Sequence, residues 1–240
     1  MSVKRSHSGS RVLAVLEAIA GHQPVGVRAL ARVLDADKSA IQRALMTLAD
    51  EGWIRTTSEP PVRWELSPRI LAVAHAAQGS SDLRRRARPL LERLRDDTGE
   101  TALLVVPDLQ NFVIADVVES RQILRMVPQV GTRVAALDTA TGRAVLPFMD
   151  AARQLSLLGA APDARSQALF EKTRVQGYAV SDGEINLAAA NIAAPVFDFD
   201  GSAAGAVVVT GPRERLTTAR HEAIGKSVQR AAQELSRSNN

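Results

Sequence analysis

The sequence contains no cysteine. Disulfides, thiolate metal sites and cysteine nucleophiles are therefore excluded by composition. Aromatic residues make up only 3% of the chain, and the four histidines, His7, His22, His75 and His221, lie far apart, with no second ligand at helical or loop spacing. No metal or other cofactor is expected. Long hydrophobic runs are missing too: the longest, near Val145 to Met149 and Ala203 to Val209, fall well short of a membrane helix. The first thirty residues carry Lys4, Arg5 and Arg11 without the long apolar stretch and cleavage-like motif of a signal peptide. A cytoplasmic protein without a membrane partner is the expectation.

What is present is 240 residues, 45% hydrophobic, enough for one large core or two modest ones. All but four of the 30 basic residues are arginine, the exceptions being Lys4, Lys38, Lys172 and Lys226. The net charge of +4 sits mainly at the N-terminus: residues 1–80 hold 10 basic against 7 acidic side chains. A nucleic-acid-binding head has that bias.

Apolar residues at three- and four-residue intervals predict a helix from Arg11 to Gly21 and a short one from Val27 to Leu34, ended by Asp35-Ala36-Asp37. A third helix, Lys38 to Glu51, has Ile41, Leu45, Leu48 and Ala49 on one face and Lys38, Ser39, Gln42, Arg43 and Thr47 on another, with Gly52 as its stop. Two short strands, Trp53 to Thr57 and Arg63 to Leu66, flank a Ser58-Glu59-Pro60-Pro61 turn and predict a hairpin, or wing. Ser67-Pro68 starts a helix running through Ile70, Leu71, Val73, Ala74 and Ala77 toward Gly79. A break at Gly79-Ser80-Ser81-Asp82 opens another helix to Thr98. Beyond Gly99, strands are expected at Thr101 to Val106, Phe112 to Val118 and Ile123 to Val127, with Pro107-Asp108 beginning the first turn. Helices follow at Thr139 to Met149, Ala151 to Leu158 and Asp163 to Gln176, then strands at Tyr178 to Ser181, Ile192 to Phe199 and Ala204 to Thr210, and a last helix at Thr217 to Arg237.

The order short helix, tight turn, two-faced helix, glycine, aromatic and hairpin predicts a winged helix-turn-helix. Its third helix would enter the major groove of DNA, where arginine, glutamine and serine meet base edges and phosphates. Lys38, Ser39, Gln42, Arg43 and Thr47 are the candidate contacts, with Arg55 and Arg63 reaching from the wing. The first turn, Lys38-Ser39-Ala40, is expected to offer free backbone amides to a phosphate. A plain solvated charged face is the alternative for that helix taken alone.

Leu30-Ala31-Arg32-Val33-Leu34, Lys38 to Leu45, and Glu51-Gly52-Trp53-Ile54 together resemble the helix-turn-helix of the isocitrate-lyase-regulator (IclR) family. Gly131-Thr132-Arg133, Thr139-Ala140 and Gly142-Arg143-Ala144 are similar to a central segment of that family. Gly177-Tyr178-Ala179-Val180, Glu184, Asn191 to Asp198 and Thr210-Gly211-Pro212 resemble its C-terminal signature. The resemblance implies an α+β chain: a winged helix-turn-helix over 1–66, a linker helix over 67–80 and a GAF-like effector domain over 81–240. It also implies a homodimer or dimer of dimers on double-stranded operator DNA, repressing or activating in response to a small carboxylate or aromatic metabolite.

Mapped onto this chain, the family's effector pocket falls at Ala140, Thr141, Ser181, Asn191, Val208 and Thr210. Asn191 stands where the family often has cysteine, Leu137 for a usual histidine, Ser181 for a frequent aspartate and Arg143 for a common lysine. Amides near Thr139 to Gly142 are expected to hold an anionic or polar head group, with Asn191 and Thr210 hydrogen bonding beside them. Two other functions stay open at this point. One is a DNA-binding protein whose C-terminal domain only oligomerises. The other is an enzyme using Asp138, Asp182 or Glu184; for this alternative Gly201-Ser202-Ala203-Ala204-Gly205 lacks the full nucleophile-elbow pattern.

Overall fold

The computed structural model describes residues 6–58, 60–76, 78–108 and 111–237, with backbone only over 74–76 and 78–81. Lys4, Arg5, Glu59 and Ala77 lie outside the described residues. The chain divides into two compact units between Gln78 and Gly79.

The first unit begins with helices α1 (His7–His22), α2 (Val27–Val33) and α3 (Lys38–Asp50), followed by strands β1 (Ile54–Thr56) and β2 (Trp64–Leu66) and helix α4 (Arg69–Ala76). Its core joins Val15 and Ile19 of α1, Leu30 of α2 and Ile41, Leu45 and Leu48 of α3, the apolar stripes that the spacing predicts. Gly52 has φ +72, so a residue without Cβ lets the chain reverse after α3. The wing strands pair antiparallel, Arg55 opposite Glu65, and Trp64 bridges back to Val25, which ties the wing to the helical body.

In the second unit α5 (Gln78–Thr98) precedes β3 (Thr101–Asp108), β4 (Asn111–Val118) and the two-residue β5 (Arg133–Val134). Then come α6 (Ala140–Val145), a 3-10 turn at Leu146–Phe148, α7 (Ala151–Leu158), α8 (Ala164–Gln176), β6 (Ala179–Asp182), β7 (Ala189–Phe197), β8 (Ala203–Pro212) and α9 (Thr218–Arg237). The six strands form one antiparallel sheet in the order β5-β4-β3-β8-β7-β6. Both faces are covered, so the central strands read as nearly unbroken apolar runs. Ala102, Leu104, Ile192, Val207 and Val209 pack with Leu91 and Leu94 of α5 and with Val228 and Leu235 of α9. Leu103, Val105, Ala193 and Val208 face the other way, with Ala140 and Ala144 of α6, Leu157 of α7 and Phe170 of α8.

Four sequence expectations are corrected. Gly79-Ser80-Ser81-Asp82 is not a break but part of α5, which starts at Gln78. Pro107-Asp108 does not begin a turn: both stay in β3, opposite Phe112 and Asn111. The helix expected over Thr139 to Met149 ends at Val145 and tightens into the 3-10 turn where Pro147 removes a backbone donor. Ile123 to Val127 forms no strand. The outer edge of β4 is already paired with Arg133–Val134, and Ile123 and Leu124 are fully and mostly exposed, with no sheet face to cover them. Side chains hold that segment instead: Arg215 donates to the Leu124 carbonyl at 2.9 Å and Thr101 to that of Met126 at 2.7 Å.

Candidate nucleic-acid interface and ligand cavity

Helix α3 buries Ala40, Ile41, Ala44, Leu45 and Leu48 and turns Lys38, Ser39, Gln42, Arg43 and Thr47 outward. All five sequence-predicted positions thus share one exposed face. Met46, 47% exposed, lies among them and is a position that the sequence reasoning missed. Its spacing of four from Gln42 and three from Arg43 is the signal that could have found it.

The first turn is not free for a phosphate, as the sequence suggested. The Asp37 carboxylate caps α3, accepting from the amides of Ser39 at 3.1 Å and Ala40 at 3.4 Å and from the Ser39 hydroxyl. The hydrogen bond from Ser39 is the main cause holding the Asp37 pKa below its ordinary value. Asp37 has the N-cap position because its short carboxylate reaches those orphan amides. Arg43 stays on the surface, 3.4 Å from the Ser39 hydroxyl, and Thr47 donates to the Arg43 carbonyl. In the wing, Arg55 meets Glu65 at 2.8 Å and Arg63 donates to the Pro24 carbonyl at 3.3 Å. Both arginines therefore have partners within the unit. Arg69 stacks 4.8 Å above the Trp53 ring and donates to the Glu51 carbonyl, fixing the end of α3 against α4.

The second unit holds a cavity of about 360 Å³ between the sheet and α6. Ala140, Thr141, Ser181, Asn191, Val208 and Thr210, the six positions named from the sequence, all line it. Strand register explains the convergence. Ser181 pairs with Asn191 and Asn191 with Thr210, so three polar side chains stand side by side on one face of β6, β7 and β8. Sequence reasoning missed the walls from Met126, Val127 and Pro128 and from Ile185 and Asn186, which come from irregular segments without a periodic signal. It missed Leu103 as well, although Leu103 lies directly across from Val208.

Of the amides at the start of α6, those of Gly142 and Arg143 are engaged within the first turn, while no hydrogen bond among the described residues takes those of Ala140 and Thr141, which line the cavity. Thr139 caps this six-residue helix, its hydroxyl accepting from Gly142 at 3.0 Å, and its carbonyl takes the Arg143 amide. Gly142 is required by close approach: a Cβ there would sit 1.8 Å from the Ala136 carbonyl oxygen. Arg143 is 5% exposed and lies beside the cavity rather than in its wall. Its Nη1 donates to the Val180 carbonyl at 2.9 Å and to Glu184 at 2.8 Å. Burial opposes the charge of Glu184, but hydrogen bonds from Ser181, Arg143 and the Asp182 amide outweigh it and hold the carboxyl below the ordinary glutamate range. Of the three acids considered for enzymatic chemistry, Asp182 pairs with Arg213 at 2.5 Å and Glu184 with Arg143, while Asp138, 53% exposed, lies 3.8 Å from the Arg143 Nη2, beyond hydrogen-bond distance. Ser202 sits in the turn between β7 and β8, its amide bonded to Asp198 and Asp200.

Residues 9–58 match the IclR helix-turn-helix domain, and residues 75–237 match the C-terminal domain of bacterial IclR transcriptional regulators. The chain belongs to the IclR family. The HTH-type transcriptional regulator BhcR of Paracoccus denitrificans is 32% identical over 94% of this chain and 85% of its own length. The acetate operon repressor of Salmonella typhimurium is 27% identical over 94% and 87%. A crystal structure of an IclR-type transcriptional regulator from Alicyclobacillus acidocaldarius superposes with a TM-score of 0.80 at 21% identity, covering 99% of this chain and 100% of that one, and supports the same α+β fold. Like its IclR relatives, this protein is a transcriptional regulator with a DNA-binding helix-turn-helix and a C-terminal effector domain. Among the described residues no helix is long and apolar enough to cross a membrane, and no group of three or more acidic or histidine side chains is placed to hold a metal.

Proposed function

We propose that this IclR-family protein is a cytoplasmic, non-enzymatic sensor that binds operator DNA as a homodimer or dimer of dimers and changes that binding when a small molecule fills the cavity behind α6. Residues 1–66 contact DNA, 67–80 connect, and 81–240 sense. Lys38, Ser39, Gln42, Arg43 and Thr47 form the reading face, with Arg55 and Arg63 available from the wing once they exchange their present partners for phosphates. Leu71 and Val73 on α4, 72% and 49% exposed, support a dimer surface there. Two-fold pairing of half-sites needs such a surface.

One observation carries the effector role. The cavity is large enough for a metabolite, about 360 Å³ against the roughly 300–1,000 Å³ of small-ligand sites, and three of its polar side chains have nothing to bond. No hydrogen bond among the described residues uses the side chain of Thr141, Asn191 or Thr210. A domain kept only for oligomerisation has no use for that combination.

Fluorescence anisotropy with DNA from upstream of the protein's own gene tests both halves at once, run at two salt concentrations with nonspecific competitor. Competitor-resistant binding that weakens steeply with salt is expected, together with a small molecule that shifts it. Asn191→Ala should lose the ligand response and keep operator binding. Loss of both together would refute the assignment of Asn191 to the effector site.

A further inference from the structure

Helix α3 buries Ala40, Ile41, Ala44, Leu45 and Leu48, and Met46, 47% exposed, is its one large apolar side chain left to solvent. Met46 belongs neither to the buried core of the first unit nor to the partly buried side chains packed around that core. At about 100° per residue along a helix, it projects within about 20° of Ser39, two turns earlier, and between Gln42 and Arg43. That direction is roughly opposite the mean direction of the five buried residues. The apolar side chain thus stands at the centre of the outward face, not at its margin. Around it Gln42 and Arg43 are exposed, and Thr47 turns its hydroxyl back to the Arg43 carbonyl. Asp50 and Glu51 follow, both exposed, and their carboxylates repel phosphates, so the stretch of this face that fits DNA ends at Thr47.

A thioether forms no ion pair with phosphate and is a poor hydrogen-bond partner for base edges. The major groove offers it one apolar group, the C5-methyl of thymine. An unbranched, polarisable methionine side chain adapts readily to such a contact. Gln42, one turn before Met46, has the side-chain amide that pairs with adenine N6 and N7. One helical turn rises about 5.4 Å against about 3.4 Å per base pair, so the two residues reach neighbouring pairs. We propose that Met46 is a specificity-determining residue that reads the methyl group of one thymine in each operator half-site, beside the pair read by Gln42. The inference rests on the reading face assigned to α3 above and adds an apolar contact to its polar ones.

Deoxyuridine provides the test, because it keeps every hydrogen-bonding group of thymine and lacks only the methyl. In the operator fragment found by anisotropy, each thymine is replaced in turn by deoxyuridine. Kd is then measured for the full-length parent, Met46→Ala, Thr47→Ser and Lys38→Ala, with circular dichroism as the control for folding. Loss of one buried methyl contact is worth about fourfold in affinity, so the parent should weaken by about that factor at one thymine of each half-site. Met46→Ala should bind the thymine and deoxyuridine operators equally there. Thr47→Ser, which removes the neighbouring methyl from the helix, and Lys38→Ala should keep the difference. Uniform tolerance of deoxyuridine by the parent, with operator preference intact, would overturn the role of Met46 and leave the reading face standing. A difference that persists in Met46→Ala would assign the methyl to another side chain and overturn the proposal. Absence of any operator preference in the parent would overturn the reading face and this inference together.

Discussion

Replacing Glu184 by glutamine removes a charge but keeps the shape. The parent carboxylate accepts from Arg143 at 2.8 Å and from the Asp182 amide at 2.6 Å, and Ser181 also bonds to it. Breaking a buried pair by removing one partner costs about 3–5 kcal/mol, but Glu184 is itself 32% exposed, and solvent screening reduces its share to about 2 kcal/mol. That is about 4–8 °C in Tm for a unit of this size. Because the folded-state pKa of Glu184 lies below its unfolded value, the contribution is present in full above the unfolded value, 4.5, and fades as pH falls through the folded one. The gap between parent and Glu184→Gln should therefore be constant from pH 7.5 to pH 5.5 and shrink toward pH 4. Urea titrations followed by far-UV circular dichroism measure it, because Trp53 and Trp64 both lie in the other unit and their fluorescence does not report on this site. Equal stability of the two proteins at neutral pH, or a gap undiminished at low pH, would refute the argument that the charge on Glu184 supports Arg143.

Gln42→Ala should cost about 1–3 kcal/mol on the preferred operator and relax sequence choice, whereas Lys38→Ala should weaken all DNA alike and lower the salt slope by about 1; competition gel shifts over a set of mutated sites separate the two. Gly142→Ala forces a Cβ into the Ala136 carbonyl and should destabilise the second unit by more than about 3 kcal/mol, read by hydrogen exchange over residues 136–145. Leu71→Asp should shift the protein toward monomer in analytical ultracentrifugation and weaken operator binding with it; an unchanged mass would remove α4 from the dimer surface.

The limits of three helices are legible in the residues because their ends are marked. Asp37, Asp150 and Asp163 cap α3, α7 and α8, and Gly52, Gly159 and Gly177 follow their ends at positive φ. Strands were harder where alanine replaced branched residues. The start of β7 lies at Ala189 rather than Ile192, because Ala189 and Ala190 have little strand preference of their own and are held there by the partners Pro212 and Gly211. Ile123 to Val127 misled in the opposite sense, since branched residues suggest a strand wherever they occur and only tertiary pairing decides whether an edge is vacant.

The candidate site shows the same division. The α3 surface follows from one helix's periodicity, and the six positions that the resemblance to a family names all line one cavity. That Asp37 occupies the amides of Ser39 and Ala40, and that Met126 and Ile185 close the cavity, depends on long-range packing that no local pattern encodes.

Neighbouring rungs of one sheet separate the two jobs a sensing domain must do. Residues 192, 207 and 209 belong to the face held by α5 and α9, while 191, 208 and 210 belong to the cavity. With the effector role proposed for the cavity, mutation would revise what is sensed at every second position while the intervening positions keep the domain folded. A lineage, or a designer of biosensors, could retarget such a protein by exchanging Ser181, Asn191 and Thr210 as a single word, leaving the hydrophobic grammar of the opposite face untouched.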